Sequence, residues 1–367
     1  MSQSSGGGIF KGALRHAFRQ ECSLYNRRKS FPLSGKASKM FNMTCNDANA
    51  DELTPETFEE LLPEFDSFIF GADGKLTKLQ RVILGLLWLR NGVITDAANL
   101  VKLLIEKKKE VFILTSDTTN SRDSHVKKLR EHRFKSKLNK EHIVTPALLA
   151  ANYLKTNKVI DGKGVYLMAS GGIQEDLEES GITFFGHGPD PLPVEKSDEN
   201  ELFGIDLSPQ PGEVCAVLVG QDKYFNFKKL MKAANFLKNP KCLFLATSDN
   251  SVIVDENRDI VIPDAGAIAA AVRKASGREP TVLGKPSSHA FEYIKKKWKI
   301  DESRTMMVCS NIDCDIVFGR NHGMRTLLIL NKPYEREQLV KMREQQKYEQ
   351  LPHFYATSLS AILPENR

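Results

Sequence analysis

Four short polar segments interrupt the apolar runs of this chain: GADG at 71–74, TSDTTNSR at 115–122, GKP at 284–286 and CSNIDCD at 309–315. Each follows a stretch that reads as a buried strand, so each is a candidate strand end. In a parallel sheet the carboxyl ends of the strands open on one crevice, where polar groups are placed for binding or chemistry. Gathered there, the segments would offer a hydroxyl (Thr115), an ammonium (Lys285), an acid (Asp73) and several backbone N–H groups. That set suits an anion, most simply a phosphate group. Singly, each piece is ordinary: a Thr after a strand is a common turn former.

Other chemistries find less support. GREPTVLGKPSS fails as a nucleotide phosphate loop, because six residues separate Gly277 from Gly284 and Pro286 stands where a Ser or Thr belongs. No GxGxxG follows a strand, so nothing points to a dinucleotide. His125, His132, His142, His187, His289, His322 and His353 lie apart and read as surface or structural residues. Cys22, Cys45, Cys215, Cys242, Cys309 and Cys314 form no CxxC pair. Neither a zinc site nor a disulfide framework is expected, and reduced thiols in an intracellular protein fit best.

The elements that must position these segments follow one rhythm. FDSFIF, VFILT, VYLM, ITFF, VCAVLVG, CLFLAT, TVLG, TMMVC and TLLIL read as strands, separated by helical patterns such as DAANLVKLLIEKKK and AGAIAAAVRKA. Strands alternating with helices of this length predict an α/β fold, a parallel sheet covered on both faces. The length of 367 residues suggests about two domains. The tail YEREQLVKMREQQKYEQL reads as a solvent-exposed helix.

The net charge of +6 sits in one place. Residues 1–50 hold eight Lys and Arg against Glu21 and Asp47, leaving 44 basic and 44 acidic residues in the remainder. The basic balance therefore describes an N-terminal arm, not a nucleic-acid surface. Within the arm, IFKGALRHAFR could form an amphipathic helix like that of a mitochondrial transit peptide; a disordered basic leader is the other reading. No apolar run approaches the ~18 residues of a membrane span. A cytoplasmic protein without membrane or nucleic-acid partners is expected, with a mitochondrial location as the alternative.

In their order, the four segments resemble the motifs of haloacid dehalogenase-like phosphatases. The likeness is closest to the branch containing 4-nitrophenyl phosphatase, phosphoglycolate phosphatase and pyridoxal phosphatase. FDSFIFGADG, LLWLRNGVI, VFILTSDTTNSR, LMKAANFLKNPKCLFLAT, ASGREPTVLGKPS and DIVFGRNHGMRTLLIL carry the resemblance through almost the whole chain after residue 60. It implies a three-layer, Rossmann-like parallel-sheet core with a smaller α/β cap inserted. The expected divisions are a basic arm at 1–60, core at 61–149, cap at 150–256, core again at 257–345 and a tail at 346–367. By the same resemblance the cap selects a small phosphorylated metabolite, with a contribution from residues 205–220, and supports a homodimer.

The resemblance also implies a reaction: hydrolysis of a phosphate monoester through an aspartyl-phosphate. The first Asp of a DxDG motif attacks phosphorus and the second serves as acid and base. Mg²⁺ is held by the first Asp, the backbone carbonyl of the second acidic position and an Asp of the fourth motif. Carried over, Asp73 takes the acid/base position, with its carbonyl as a weak metal contact. Thr115, Ser116 and Lys285 take the phosphate-binding positions, and Asp315 the acid that supports Lys285.

Two positions depart sharply. Gly71 stands at the nucleophile position, and Cys309-Ser310 replaces the usual GD, so Ser310 occupies the metal-binding Asp position. Ser116-Asp117 also stands where two Asn are usual. An insertion, KLTKLQRVILG at 75–85, directly follows. Sliding the register through it places Val82 and Leu84 at the Asp positions and supplies no acid. Removing a nucleophile typically costs about 10⁶-fold in rate, and Mg²⁺ wants oxygen ligands that Gly71 lacks and Ser310 supplies poorly. The expectation is a pseudophosphatase with weakened or lost Mg²⁺ binding. The alternative is an active Mg²⁺-dependent phosphomonoesterase that uses water as nucleophile and Asp73 as base. A third reading is an aberrant transcript, since the insertion adjoins the lost nucleophile.

Overall fold

The computed structural model describes residues 50–72, 75–76, 83–84, 86–87, 95–134, 138–158, 162–191, 206–254, 260–330 and 333–364. The N-terminal arm to residue 49, Asp73 and most of the 75–85 insertion lie outside the described residues.

Two wholly parallel sheets carry the fold. Their strands, in chain order, are β1 (Asp51–Glu52), β2 (Ser67–Gly71), β3 (Glu110–Leu114), β4 (Ile143–Val144), β5 (Gly164–Met168), β6 (Phe184–Phe185), β7 (Val214–Val219), β8 (Leu243–Ala246), β9 (Thr281–Val282), β10 (Thr305–Cys309), β11 (Arg325–Ile329) and β12 (Phe354–Ala356). The helices are α1 (Pro55–Leu61), α2 (Thr95–Glu106), α3 (Arg122–Glu131), α4 (Pro146–Thr156), α5 (Gly171–Glu179), α6 (Phe227–Phe236), α7 (Ala265–Ser276), α8 (His289–Trp298), α9 (Val317–Asn321) and α10 (Pro333–Glu344).

The larger sheet runs β1-β12-β11-β10-β2-β3-β4. From β2 the chain first builds outward through β3 and β4, then returns on the other side to build β10, β11 and β12. Strand order reverses at β2, and a crevice opens beyond the carboxyl end of a strand at such a switch point. Alternation along β2 sends Phe68 and Phe70 to one face, against Phe58 of α1 and Leu100 and Leu104 of α2. Ile69 goes to the other face with Phe112, Met307 and Leu328, and with Phe291 of α8. Helices on both faces of a parallel sheet give the three layers expected from the sequence.

The smaller sheet runs β9-β8-β7-β5-β6. Its far face is covered by Ala233 and Phe236 of α6 and by Ile268 and Val272 of α7. Its near face belongs to the same apolar cluster as the core, continuous through Leu149 and Leu154 of α4 and Ile173 and Leu177 of α5. One uninterrupted apolar layer therefore joins the two sheets.

Sheet membership draws different boundaries from those expected. The smaller sheet takes β9 from beyond residue 256, paired with β8 through Leu245↔Thr281, and α7 closes that sheet rather than the core. Residues 51–52 at the end of the expected arm and 354–356 in the expected tail form the edge of the core sheet, paired as Asp51↔Phe354 and Leu327↔Phe354. Edge strands of two or three residues are too short to show an alternation in the sequence. The insertion contributes a two-residue antiparallel pair, Lys75↔Leu84 and Leu76↔Ile83. A second hairpin, Val252–Val254 with Val261–Pro263, had no counterpart in the sequence reading. No helix among the described residues is long and apolar enough to cross a membrane.

Candidate active site

Strand register sets the floor of the site. Gly71 pairs with Leu114, and Phe70 with Val308, so Gly71, Thr115 and Cys309 finish three adjacent strands side by side. Thr115 continues the ladder by donating its N–H to the Val144 carbonyl at 3.1 Å, and its hydroxyl oxygen accepts the N–H of Asp117 at 3.0 Å. Ser116 is half-buried beside it.

Asp117 organises the loop that follows. Its Oδ1 accepts the N–H and hydroxyl of Thr119 at 2.8 and 2.6 Å, and its Oδ2 accepts the Asn120 amide at 2.8 Å. His125, buried on α3, has its Nε2 3.6 Å from Oδ2. Burial alone would raise the Asp117 carboxyl, but the hydrogen bonds from Thr119 and Asn120 and the nearby His125 together hold it below its ordinary value. The Asp side chain bonding its own loop two and three residues on is a familiar turn device. Ser121 then caps α3 by accepting the Ser124 N–H at 3.3 Å.

The opposite corner is built by Lys285 and Asp315. Lys285 Nζ donates to Asp315 Oδ1 at 2.8 Å, with the two side chains only 3% and 1% exposed. Asp315 lies in a single π-turn, Ile312–Ile316, whose start is tied by the Asn311 side chain accepting the Asp313 N–H at 3.1 Å. Such turns recur at functional sites. A Cβ built on Gly71 would stand 2.8 Å from Asp315 Cγ and closer still to Oδ2. A side chain at 71 would therefore press on the carboxyl end of Asp315, which would have to turn aside. The Ser310 hydroxyl is buried and has no hydrogen-bond partner among the described residues. Burial, aided by the Asp315 charge, pushes the Cys309 thiol well up, so it stays a thiol rather than a reactive thiolate.

A third group was not legible in the sequence. Arg122, at the start of α3, donates from Nε to Asp176 Oδ1 at 2.5 Å and from Nη2 to Glu179 Oε2 at 2.9 Å, both on α5. Thr145 donates to Asp176 Oδ2 at 2.7 Å. At the other end of α5, a Cβ on Gly172 would lie 2.7 Å from the backbone of Asn120, so only glycine permits this approach. Helix α5 is thereby pinned along its length against the 115–122 loop. Beside it a cavity of about 450 Å³ is lined by Thr119, Ser170, Gln174, Gln221, Lys223 and Tyr224, among others. No sequence period links Arg122 to Asp176; the only hint was an Arg directly after a strand-end loop.

The model for haloacid dehalogenase-like hydrolases matches residues 83–183, and a second model, HAD-hydrolase-like, matches 282–362. Phosphoglycolate phosphatase 2 of Arabidopsis thaliana is 31% identical over 313 residues, covering 85% of this chain and 96% of the relative. The chain belongs to the haloacid dehalogenase-like hydrolase family. A p-nitrophenyl phosphatase from Archaeoglobus fulgidus superposes with a TM-score of 0.62 at 22% identity, over 81% of this chain and 98% of that one, which shows the shared fold. A Caenorhabditis elegans NipSnap protein is 32% identical over 267 residues, and the chain spans about half, 48%, of that relative's length.

Members of this hydrolase family generally use Mg²⁺, and the described residues do not fit it. Position 71 has no side chain, Ser310 offers a neutral hydroxyl, and the Asp315 carboxylate is held by Lys285. Asp313 is exposed, and no group of three or more His, Cys, Asp or Glu among the described residues could hold a metal ion. Mg²⁺ demands near-octahedral oxygen ligands, commonly with one or two carboxylates.

Proposed function

We propose that this haloacid dehalogenase-like chain is a pseudophosphatase of the phosphoglycolate and 4-nitrophenyl phosphatase branch, folded as its relatives are but unable to form their covalent intermediate. One observation carries the reading: the switch-point strand β2 ends in Gly71, so the position facing the crevice presents no side chain. Attack on phosphorus needs a nucleophile aligned at near-contact distance, and glycine offers no side-chain atom. Ser310 supports the reading from the other side, since its hydroxyl carries no charge for a metal ion to neutralise.

A second reading is supported by the retained Thr115 and Lys285 and by the relatives' names. It is a Mg²⁺-dependent phosphomonoesterase acting on small phosphorylated metabolites, with water as nucleophile and Asp73 as base. Hydrolysis of para-nitrophenyl phosphate by the purified chain in MgCl₂ separates the two. The pseudophosphatase reading expects the rate of the protein-free blank. A Mg²⁺-dependent rate that Asp73→Ala abolishes establishes the second reading and overturns the first.

A further inference from the structure

We propose that the smaller sheet carries a binding site of its own, for a small metabolite with a phosphate or carboxylate group, seated over the start of α5 and held by Lys223. The inference goes beyond the pseudophosphatase reading and holds whether or not the chain turns over a phosphate ester. It begins with topology. In the order β9-β8-β7-β5-β6, the chain runs outward from β5 to β6, then crosses back to build β7, β8 and β9 on the other side. The smaller sheet therefore has a switch point between β5 and β7, and a crevice opens beyond the carboxyl ends of strands at such a place. The cavity of about 450 Å³ lies there: its lining includes Ala169, Ser170 and Gly171, directly after β5, and Gln221, Lys223 and Tyr224, directly after β7. That volume is in the range of small-molecule sites.

The chemistry of the lining is that of an anion site. Among the described residues Lys223 is the only charged side chain that lines the cavity, and it has no salt-bridge partner; its Nζ lies 5.0 Å from the centre of the Tyr224 ring. The neighbouring acid is engaged elsewhere, since Asp222 accepts Lys229 Nζ at 2.6 Å and the Tyr224 N–H at 2.9 Å, which fixes this loop. Asp117, which bonds Thr119 of the lining, is likewise occupied by Thr119 and Asn120. Ser170 stands at the N-cap of α5, but its hydroxyl donates to the Gln221 carbonyl at 2.7 Å. That bond ties the two strand ends together and leaves the leading amides of the helix without a side-chain cap. Such amides, at the positive end of the helix dipole, suit a phosphate or carboxylate. A Cβ on Gly171 or Gly188 would meet nothing within 4 Å, so the lining is open at both.

A buried hydroxyl adds a second, independent sign of a ligand. Val219 pairs with Met168 and with Ala246, so Ala169, Gly220 and Thr247 follow three adjacent strands side by side. The Thr247 hydroxyl is wholly buried and has no hydrogen-bond partner among the described residues. It lies 3.5 Å from the point where a Cβ on Gly220 would stand, and that point is 2.9 Å from the Ala169 Cβ of the cavity lining. An unpaired donor is thus turned to the cavity side of the sheet edge, with only a bare glycine between it and Ala169. Gln174 and Gln221 supply amides for the rest of the ligand.

Titration calorimetry of the full chain with phenylphosphonate and, separately, with benzoate tests the site; the probes share a ring and differ in the anionic group. Binding of at least one at about 1 mM or tighter is expected. Phenylphosphonate alone assigns a phosphate-type ligand, benzoate alone a carboxylate. Lys223→Met removes the cation, and Gly171→Asp sets a fixed carboxylate at the helix start, where the open space admits it. Each should weaken binding by about fivefold or more. Binding of neither probe overturns the site. So does binding that Lys223→Met weakens by less than about fivefold, because the anion then lies elsewhere, at Thr115 and Lys285. Lys223 is exposed, so that result is readable even where Gly171→Asp folds poorly.

Discussion

The loop after β3 and the corner formed by Gly71, Ser310 and Asp315 finish neighbouring strands of one sheet, yet they have changed in opposite ways. In the loop, Asp117 stands where the family resemblance places an amide, and both of its oxygens accept hydrogen bonds, from Thr119 and from Asn120. In the corner, positions where the family resemblance places carboxylates hold none: Gly71 has no side chain, and the Ser310 hydroxyl lacks a partner among the described residues. A Cβ on Gly71 would there meet the Asp315 carboxylate. The loop shows a charge absorbed by local hydrogen bonding; the corner has no side chain at 71 and a neutral hydroxyl at 310, while the strands around it persist. Scaffold and reaction are separable here because β2, β3 and β10 are held by apolar packing that does not involve the reacting groups.

The comparison can be broken most forcefully at Lys285. Lys285→Met leaves a buried carboxylate without its 2.8 Å cation and should cost about 3–5 kcal/mol in urea unfolding. A loss below about 1 kcal/mol would mean that the corner is not held by this pair. Next comes the tie between the loop and α5. Arg122→Ala removes contacts to Asp176 and Glu179 and is expected to cost about 3 kcal/mol. Lys140→Ala, on an exposed partner of Glu179, should leave the unfolding midpoint unchanged. Gly172→Ala drives a methyl against the Asn120 backbone, an overpacking worth about 1–3 kcal/mol. Hydrogen exchange of the 115–122 amides should speed up in that variant.

The smallest effect concerns pH. Asp117 is held below its unfolded value, so its contribution is fully present above the ordinary carboxylate range. It is lost as pH falls through the lower, folded value. Stability should therefore drop with acid below about pH 4, and Asp117→Asn should flatten that limb of the curve. An unchanged slope in the variant would show that the loop owes nothing to the charge.

Much of this architecture was legible in the chain itself. VFILT and TMMVC are continuous apolar runs, which a parallel sheet covered on both faces requires. Their polar followers could therefore be assigned to one edge before any contact was known. The glycine at position 71 was equally plain, and a glycine offers no side-chain nucleophile. The nearness of the Asp315 carboxylate to Gly71 was not legible. The approach of Asp315 to Gly71 depends on the register of β10 against β2 and on the π-turn after it, neither of which leaves a periodic trace. The pinning of α5 by Arg122 was hidden for a related reason, because a buried ion pair between distant segments has no spacing rule. The edge strands β1 and β12 were missed for brevity alone, whereas β9 was read as a strand in TVLG and only its place in the smaller sheet was not legible.

The covalent step itself provides the most direct test. The chain is incubated with radiolabelled acetyl phosphate and MgCl₂, quenched in acid, and counted for protein-bound phosphorus that hydroxylamine releases. With Gly71 at the nucleophile position, no such label is expected. Stoichiometric, hydroxylamine-labile label would contradict the account, because it would mean that another carboxylate of the site, Asp73 or Asp315, has taken over the attack on phosphorus.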